Sequence, residues 1–234
     1  MNKILNKLSM FAVALLLLTG CALDNYEEPG SFLKGRIVYQ GEPIGVEYNQ
    51  VSFQLWEPGW ELSKSIDVTV SQDGEFSALL FDAQYKLIIP SHQGPFMSIE
   101  NSGTNSDTII VDLNGSTEMD IEVLPFYVFN SADMSVSGTT VNMSASLKKV
   151  VTGVDERNID RVNLYISKTH FVSGNTSVSS AEIGGGDIAD IGNITLSTEI
   201  PDLTPSQSYV YARVGVKISG VEDMLFSPVQ KLEF

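Results

Sequence analysis

The sequence predicts an all-β protein made of two tandem β-sandwich domains, and three observations predict it. Short runs rich in Val, Ile, Leu, Thr and aromatic residues recur along the chain between turn residues. Where a run shows a period, the period is two: in Val51-Ser52-Phe53-Gln54-Leu55 the apolar residues alternate, so one face of that strand is buried. No segment longer than a single turn carries the 3.6-residue period of an amphipathic helix.

In chain order, the first series of strands is Phe32 to Tyr39, Val51 to Trp56, Ile66 to Val70, Glu75 to Leu80, Tyr85 to Ile89, Thr108 to Leu113 and Met119 to Val123. Seven short strands suit a sandwich. Gln40-Gly41-Glu42-Pro43, Pro58-Gly59 and Asp73-Gly74 supply the positive or fixed φ that chain reversals need. Leu124-Pro125-Phe126, where a strand runs into a proline, divides residues 32–124 from residues 125–234. The second series is Val136 to Leu147, Val162 to Ser167, Ile194 to Ile200, Tyr209 to Ile218 and Met224 to Leu232. Two loops without an apolar period interrupt it: the charged Thr152 to Asp160, and Ser173 to Gly192, rich in Ser and Gly. The latter contains Gly184-Gly185-Gly186, which lacks the lysine and the strand-to-helix setting of a phosphate loop and reads as a flexible loop.

The residues ahead of the first strand read as an address. Lys3 and Lys7 precede an apolar run from Phe11 to Leu18, and small residues lead to the one cysteine, Cys21; this is a secretory signal peptide over residues 1–20, too short to span a bilayer. Leu18-Thr19-Gly20-Cys21 resembles the bacterial lipobox, which implies that Cys21 carries acyl chains enough to hold a soluble domain on a membrane. Residues 21–31, with Asp24, Glu27, Glu28, Pro29 and Gly30, read as a flexible tether. Ala22 stands where an aspartate would favour inner-membrane retention, and the acidic cluster resembles the export signal of gut-bacterial surface lipoproteins. Outer-membrane attachment with cell-surface exposure is the implied location.

Charge narrows the partners. Loss of residues 1–20 changes Lys+Arg against Asp+Glu from 14 and 29 to 12 and 29, hence the net charge from -15 to -17. So acidic a body excludes a nucleic-acid partner or a basic grip on anionic lipid, both of which need positive charge facing phosphate. With its one cysteine assigned to lipid, the chain has no internal disulfide and relies on apolar cores; 43% hydrophobic and 18% charged residues are globular values.

Gly35-Arg36-Ile37-Val38, Gly41-Glu42-Pro43-Ile44, Asp73-Gly74-Glu75-Phe76 and Tyr85-Lys86-Leu87 resemble the carboxypeptidase regulatory-like domains, which implies a transthyretin-like sandwich for residues 32–124. Leu203, Pro205 and Tyr209 resemble in spacing the tyrosine corner of fibronectin type III domains, implying a fibronectin/immunoglobulin-like second domain. One discord stands: Val210, Ala212, Val214, Val216 and Ile218 form the apolar row, on the opposite parity to Tyr209, so the corner needs a bulge. With Trp56-Glu57-Pro58-Gly59-Trp60, Gly94-Pro95-Phe96 and Leu124-Pro125-Phe126, the whole mature chain resembles an uncharacterised two-domain lipoprotein family of gut bacteria. Members of that family tend to be encoded beside SusC-type and SusD-type glycan importers, so the resemblance implies polysaccharide and those proteins as partners and brings no catalytic residue or cofactor.

The residues themselves point away from catalysis. The two histidines, His92 and His170, fall in different domains, and no nucleophile elbow, zinc-protease or phosphate-loop motif is present. The 29 acids offer many pairs and therefore single out none for glycoside hydrolysis. Asp155, Glu156, Asn158 and Asp160 place oxygen ligands at the intervals calcium loops use, but the glycine and distal glutamate of an EF-hand are missing and Arg157 and Arg161 offer internal partners; a solvated loop without metal is expected.

Trp56 and Trp60, with Glu57 and Glu61, form the candidate glycan site. Trp56 leaves the core-facing row, and Pro58-Gly59 suits a type II turn that projects both indoles toward a sugar face, with carboxylates to accept hydroxyls. The competing reading packs both indoles against the second domain or a sheet edge. Asp107-Thr108-Ile109 resembles the acceptor of the O-glycosylation system of such bacteria, which makes Thr108 the candidate modified residue. Three functions stay open: a surface accessory that binds glycan or the importer, a fimbrial or spacer module, and a polysaccharide-acting enzyme. Two sandwiches without a reactive constellation favour the first.

Overall fold

The structure, a computed structural model, describes residues 28–59 and 64–234. The signal peptide, Cys21, Trp60 and Glu61 lie outside the described residues. The protein is nearly all β, in two tandem domains with separate sheets, and the described residues hold no α-helix and no helix long and apolar enough to cross a membrane.

The first domain comprises β1 (Ser31–Tyr39), β2 (Glu42–Pro43), β3 (Ser52–Trp56), β4 (Ile66–Thr69), β5 (Glu75–Leu80), β6 (Ala83–Ile88), β7 (Phe96–Ser98), β8 (Ile109–Leu113), β9 (Thr117–Glu118) and β10 (Ile121–Pro125). One sheet runs β2-β1-β10-β7, with β5 and β9 also on β1; the other runs β4-β3-β6-β8. β1 lies antiparallel to β5 over Ser31 to Arg36 and then parallel to β10 at Ile37 and Val38, so one strand serves two edges. Gly35 permits this: a Cβ there would stand 1.7 Å from the carbonyl of Met119. Between the sheets Phe53 meets Phe76 edge-on, ring centroids 4.9 Å apart, among Leu33, Leu55, Tyr85, Leu87 and Ile121, all fully buried.

The second domain comprises β11 (Tyr127–Ser137), β12 (Thr140–Lys149), β13 (Ile159–Ser167), β14 (Ser179–Gly184), β15 (Ile194–Glu199), β16 (Tyr209–Ile218), β17 (Leu225–Phe226) and β18 (Gln230–Glu233). β11-β12-β15 form one sheet and β14-β13-β16-β17 the other, with β18 also on β16. Val162, Leu164 and Ile166 of β13 and Val210, Ala212, Val214, Val216 and Ile218 of β16 are completely buried.

Four expectations change. The expected loop Ser173 to Gly192 contains β14, which pairs at six consecutive positions with β13; Ser and Ala have too little apolar surface to advertise a strand that its neighbour dictates. Gly185 within the glycine run is a close-packing position, where a Cβ would lie 1.9 Å from the carbonyl of Ile159. The run expected as one strand from Val136 to Leu147 is a hairpin that turns at Gly138, φ +63°. The tyrosine corner does not form: β16 pairs without a shift from Tyr209 to Val216, so Tyr209 keeps the outward parity, edge-on to Tyr211 and beneath the ammonium of Lys231.

The domains meet through segments at one end of the first domain's strands. Gly45 and Phe226 form an antiparallel bridge, and Arg213 of β16 donates to the carbonyls of Val46 and Gln72. The Gln72 side chain, itself buried, donates to the carbonyl of His170 at 3.0 Å, and Asn175 donates to Glu47 at 2.9 Å. Tyr48 and Phe171 meet across the joint with centroids 4.6 Å apart and ring planes tilted by 53°.

Candidate functional site

Beside this joint lies a cleft of about 710 Å³. Its first wall is the loop after β6, where Gly94 takes φ +79° directly over the ring of Phe96; a Cβ would be 2.2 Å from that ring, so only glycine closes this turn. Phe96 and Phe126 give a buried apolar floor, and His92, Glu100, Arg157 and Glu222 stand exposed around it. The walls are fixed. The N–H of Gly94 donates to Asp223 at 2.8 Å across the domains, that of Phe126 to the carbonyl of Pro95 at 3.2 Å, and the hydroxyl of Tyr127 to the carbonyl of Arg157 at 2.8 Å. Burial pushes the Asp223 carboxyl above the usual aspartate range, and the hydrogen bond from Gly94 opposes that rise. Among the described residues the Arg157 guanidinium makes no ion pair, so its donors face the cleft's solvent. An apolar floor rimmed by acceptor carboxylates and one donor guanidinium, at a domain joint, is the composition of a small-molecule site.

The described residues of the glycan and O-glycosylation candidates lie elsewhere. Trp56 ends β3 on the side of that strand away from the second domain; it is half-buried, and its indole N–H donates to the Gln54 side chain at 3.2 Å. The strand register places Lys86 opposite Trp56 and Ile110 opposite Lys86, one row across the outer face of that sheet. Glu57 is half-buried, Pro58 and Gly59 are exposed, and Gly59 has the positive φ, +101°, that a type II turn requires. Thr108 is half-buried just before β8, its N–H bonded to the Ser106 hydroxyl at 3.2 Å.

In the calcium-like run, Glu156 is held by Lys149 at 2.7 Å and Asp160 by Arg161 at 3.0 Å, while Asp155 lines the cleft. Among the described residues no three His, Cys, Asp or Glu side chains converge as a metal site would need. Of the two arginines expected as partners, Arg161 serves and Arg157 does not. The cleft itself escaped the sequence reading, although Gly94-Pro95-Phe96 and Leu124-Pro125-Phe126 stood out as motifs; both supply its floor.

Residues 31–124 match the model of the N-terminal domain of DUF3823, a protein of unknown function, and residues 127–231 match the domain of unknown function DUF3823_C. The chain belongs to the DUF3823 family. Among solved structures, a DUF3823 family protein from Parabacteroides merdae is 33% identical with a TM-score of 0.76, over 88% of this chain and 100% of that one. A family member from Bacteroides ovatus is 28% identical, TM-score 0.75, over 87% and 98%. A candidate carbohydrate binding protein from Bacteroides uniformis shares the fold at 18% identity, TM-score 0.69, over 88% and 100%. A search of curated proteins finds no match.

Proposed function

We propose that this DUF3823 protein is a lipid-anchored, outer-membrane surface protein that binds saccharide without transforming it, as an accessory to a SusC/SusD-type polysaccharide importer. The observation that carries the reading is the cleft between the domains. Ile99, exposed beside the buried Phe96 and Phe126, offers apolar surface to the C–H face of a sugar ring, while Glu100 and Glu222 accept hydroxyl hydrogen bonds and Arg157 donates them. The Bacteroides uniformis protein of the same fold supports a carbohydrate ligand. Binding rather than catalysis is favoured because, among the described residues, neither histidine is hydrogen-bonded to a hydroxyl; His170 is engaged by the Gln72 amide.

Calorimetric titration of the purified protein with a polysaccharide panel tests this. Retention of at least one glycan, weakened by substitution of Arg157 or Glu222 and unaccompanied by new reducing ends, is the expected result. Silence across the panel removes the saccharide reading, and release of reducing ends makes the protein an enzyme.

A further inference from the structure

Two exposed aromatic rings at the joint take no part in the cleft. Tyr48, 54% exposed, stands in the turn between β2 and β3, and Phe171, 45% exposed, in the connection between β13 and β14. Both line a notch of about 210 Å³ that shares no lining residue with the cleft. Val172 is buried in a small cluster with Tyr165, Met224 and Phe226, which holds its neighbour Phe171 at the surface. The loop is then pinned in that pose. The Thr176 hydroxyl donates to the Phe171 carbonyl at 2.8 Å, the Ser173 N–H donates to that hydroxyl at 3.0 Å, and the Asn175 amide donates to Glu47 at 2.9 Å. On the facing wall Asn49 takes φ +61°, a left-handed position that asparagine tolerates, and so reverses the chain just after Tyr48.

Polar groups with nothing to bond surround the rings. Among the described residues the Tyr48 hydroxyl and the side-chain amides of Asn49 and Gln50 have no hydrogen-bond partner. Gln72, 3% exposed, also lines the notch; its amide nitrogen donates to the His170 carbonyl, and its amide oxygen is left as an acceptor without a donor. Half-exposed rings beside unpaired hydroxyl and amide groups are the chemistry that holds a sugar, its C–H face on the ring and its hydroxyls on the rim. A notch of this size has room for about seven waters at about 30 Å³ each, hence for one sugar ring. We propose that it is a second saccharide subsite, separate from the cleft, in which one neutral pyranose residue packs against the Tyr48–Phe171 pair. The ligand is neutral because the one acidic or basic side chain lining the notch is Glu47, which repels an anionic sugar and already holds Asn175. Glu47 and Tyr48 belong to the first domain and Phe171 and Asn175 to the second, so the bound sugar bridges the joint. The subsite uses no residue of the cleft and stands or falls apart from it.

Amide NMR of the isotope-labelled purified protein, titrated with the methyl glycosides of glucose, galactose, mannose and N-acetylglucosamine, locates the contact residue by residue. At least one glycoside is expected to shift the amides of Tyr48, Asn49, Gln50 and Asn175, and to do so equally in Arg157→Ala, whose lesion lies in the cleft. Phe171→Ala should weaken this binding about tenfold, the worth of an aromatic face, and Phe171→Tyr, which keeps the ring, should retain it. Gln50→Ala removes an exposed amide that holds nothing in the fold, so it should weaken binding about threefold to tenfold with the melting temperature unmoved. Shifts confined to the amides around His92, Arg157 and Glu222 overturn this subsite and leave the cleft reading standing. Undiminished binding in Phe171→Ala overturns it as well. So does silence with all four glycosides, after which the polysaccharide titration decides the cleft by itself.

Discussion

The guanidinium of Arg213 donates from Nη1 to the carbonyl of Val46, 3.0 Å away in space and 167 residues earlier in the chain. The same group reaches Ser227 from Nε at 2.6 Å and Gln72 from Nη2 at 2.5 Å, with the Phe226 ring 4.6 Å beneath it. It is wholly buried and bonded to carbonyls, with no carboxylate within ion-pair range among the described residues. Burial draws its pKa down to about 10, against the pull of Asp73 and Glu47, so it remains a cation at neutral pH. The geometry makes one planar fork the joint between two cores.

Arg213→Met should therefore cost about 3–5 kcal/mol, because it strands three buried carbonyls that had a charged donor. Calorimetry should also show the one unfolding transition splitting in two as the domains uncouple. A single transition within about 1 kcal/mol of wild type would show that the joint holds without it.

Arg157→Ala should weaken saccharide binding about 10- to 100-fold, the worth of a hydrogen bond to a charged donor, while stability stays within about 0.5 kcal/mol because the side chain is exposed. Trp56→Ala should leave the same titration unchanged. If Trp56→Ala abolishes binding and Arg157→Ala does not, the site is the tryptophan turn.

Gly185→Ala should destabilise by about 1–3 kcal/mol, since the new methyl meets the backbone of Ile159 and a backbone carbonyl cannot move aside cheaply. Gly186→Ala, with open space around it, should cost well under half as much. Urea unfolding of the pair decides; equal losses would return the glycine run to a flexible loop.

Asp223 titrates with a sign that can be checked. A carboxyl whose pKa rises on folding contributes stability below its ordinary value, 3.8, and loses it as pH rises through the folded value. Asp223→Asn keeps an acceptor for the Gly94 N–H and removes the buried charge. Its stability relative to wild type should climb between pH 4 and pH 7; a flat or falling difference in urea midpoints would refute the assignment.

Cys21→Ser should leave folding intact, as it precedes the first strand, and abolish membrane association that survives a high-salt wash. Intact mass of native protein should carry acyl chains on Cys21, and a glycan on Thr108 would appear in the same spectrum. A mass of bare polypeptide would remove both.

The local part of the molecule is written in the chain. Period-two alternation at Phe53 and Leu55 fixes the buried face of β3, and Asp73-Gly74 and Pro58-Gly59 fix reversals, because parity and turn φ depend only on residues a few positions apart. Trp56 was legible as lying off the core row for the same reason. The rest arises only when distant segments pack. β14 is a strand because β13 offers it six pairing positions, not because Ser179 to Gly184 prefer to be one. Arg213 reads in sequence as an interruption of an apolar row and is in fact the joint; its partners Val46 and Gln72 lie more than 140 residues upstream. The cleft is invisible in the chain because its floor and rim come from four separated segments, and proximity between such segments is set by how two cores dock, an energy shared among many contacts that no short stretch of sequence contains.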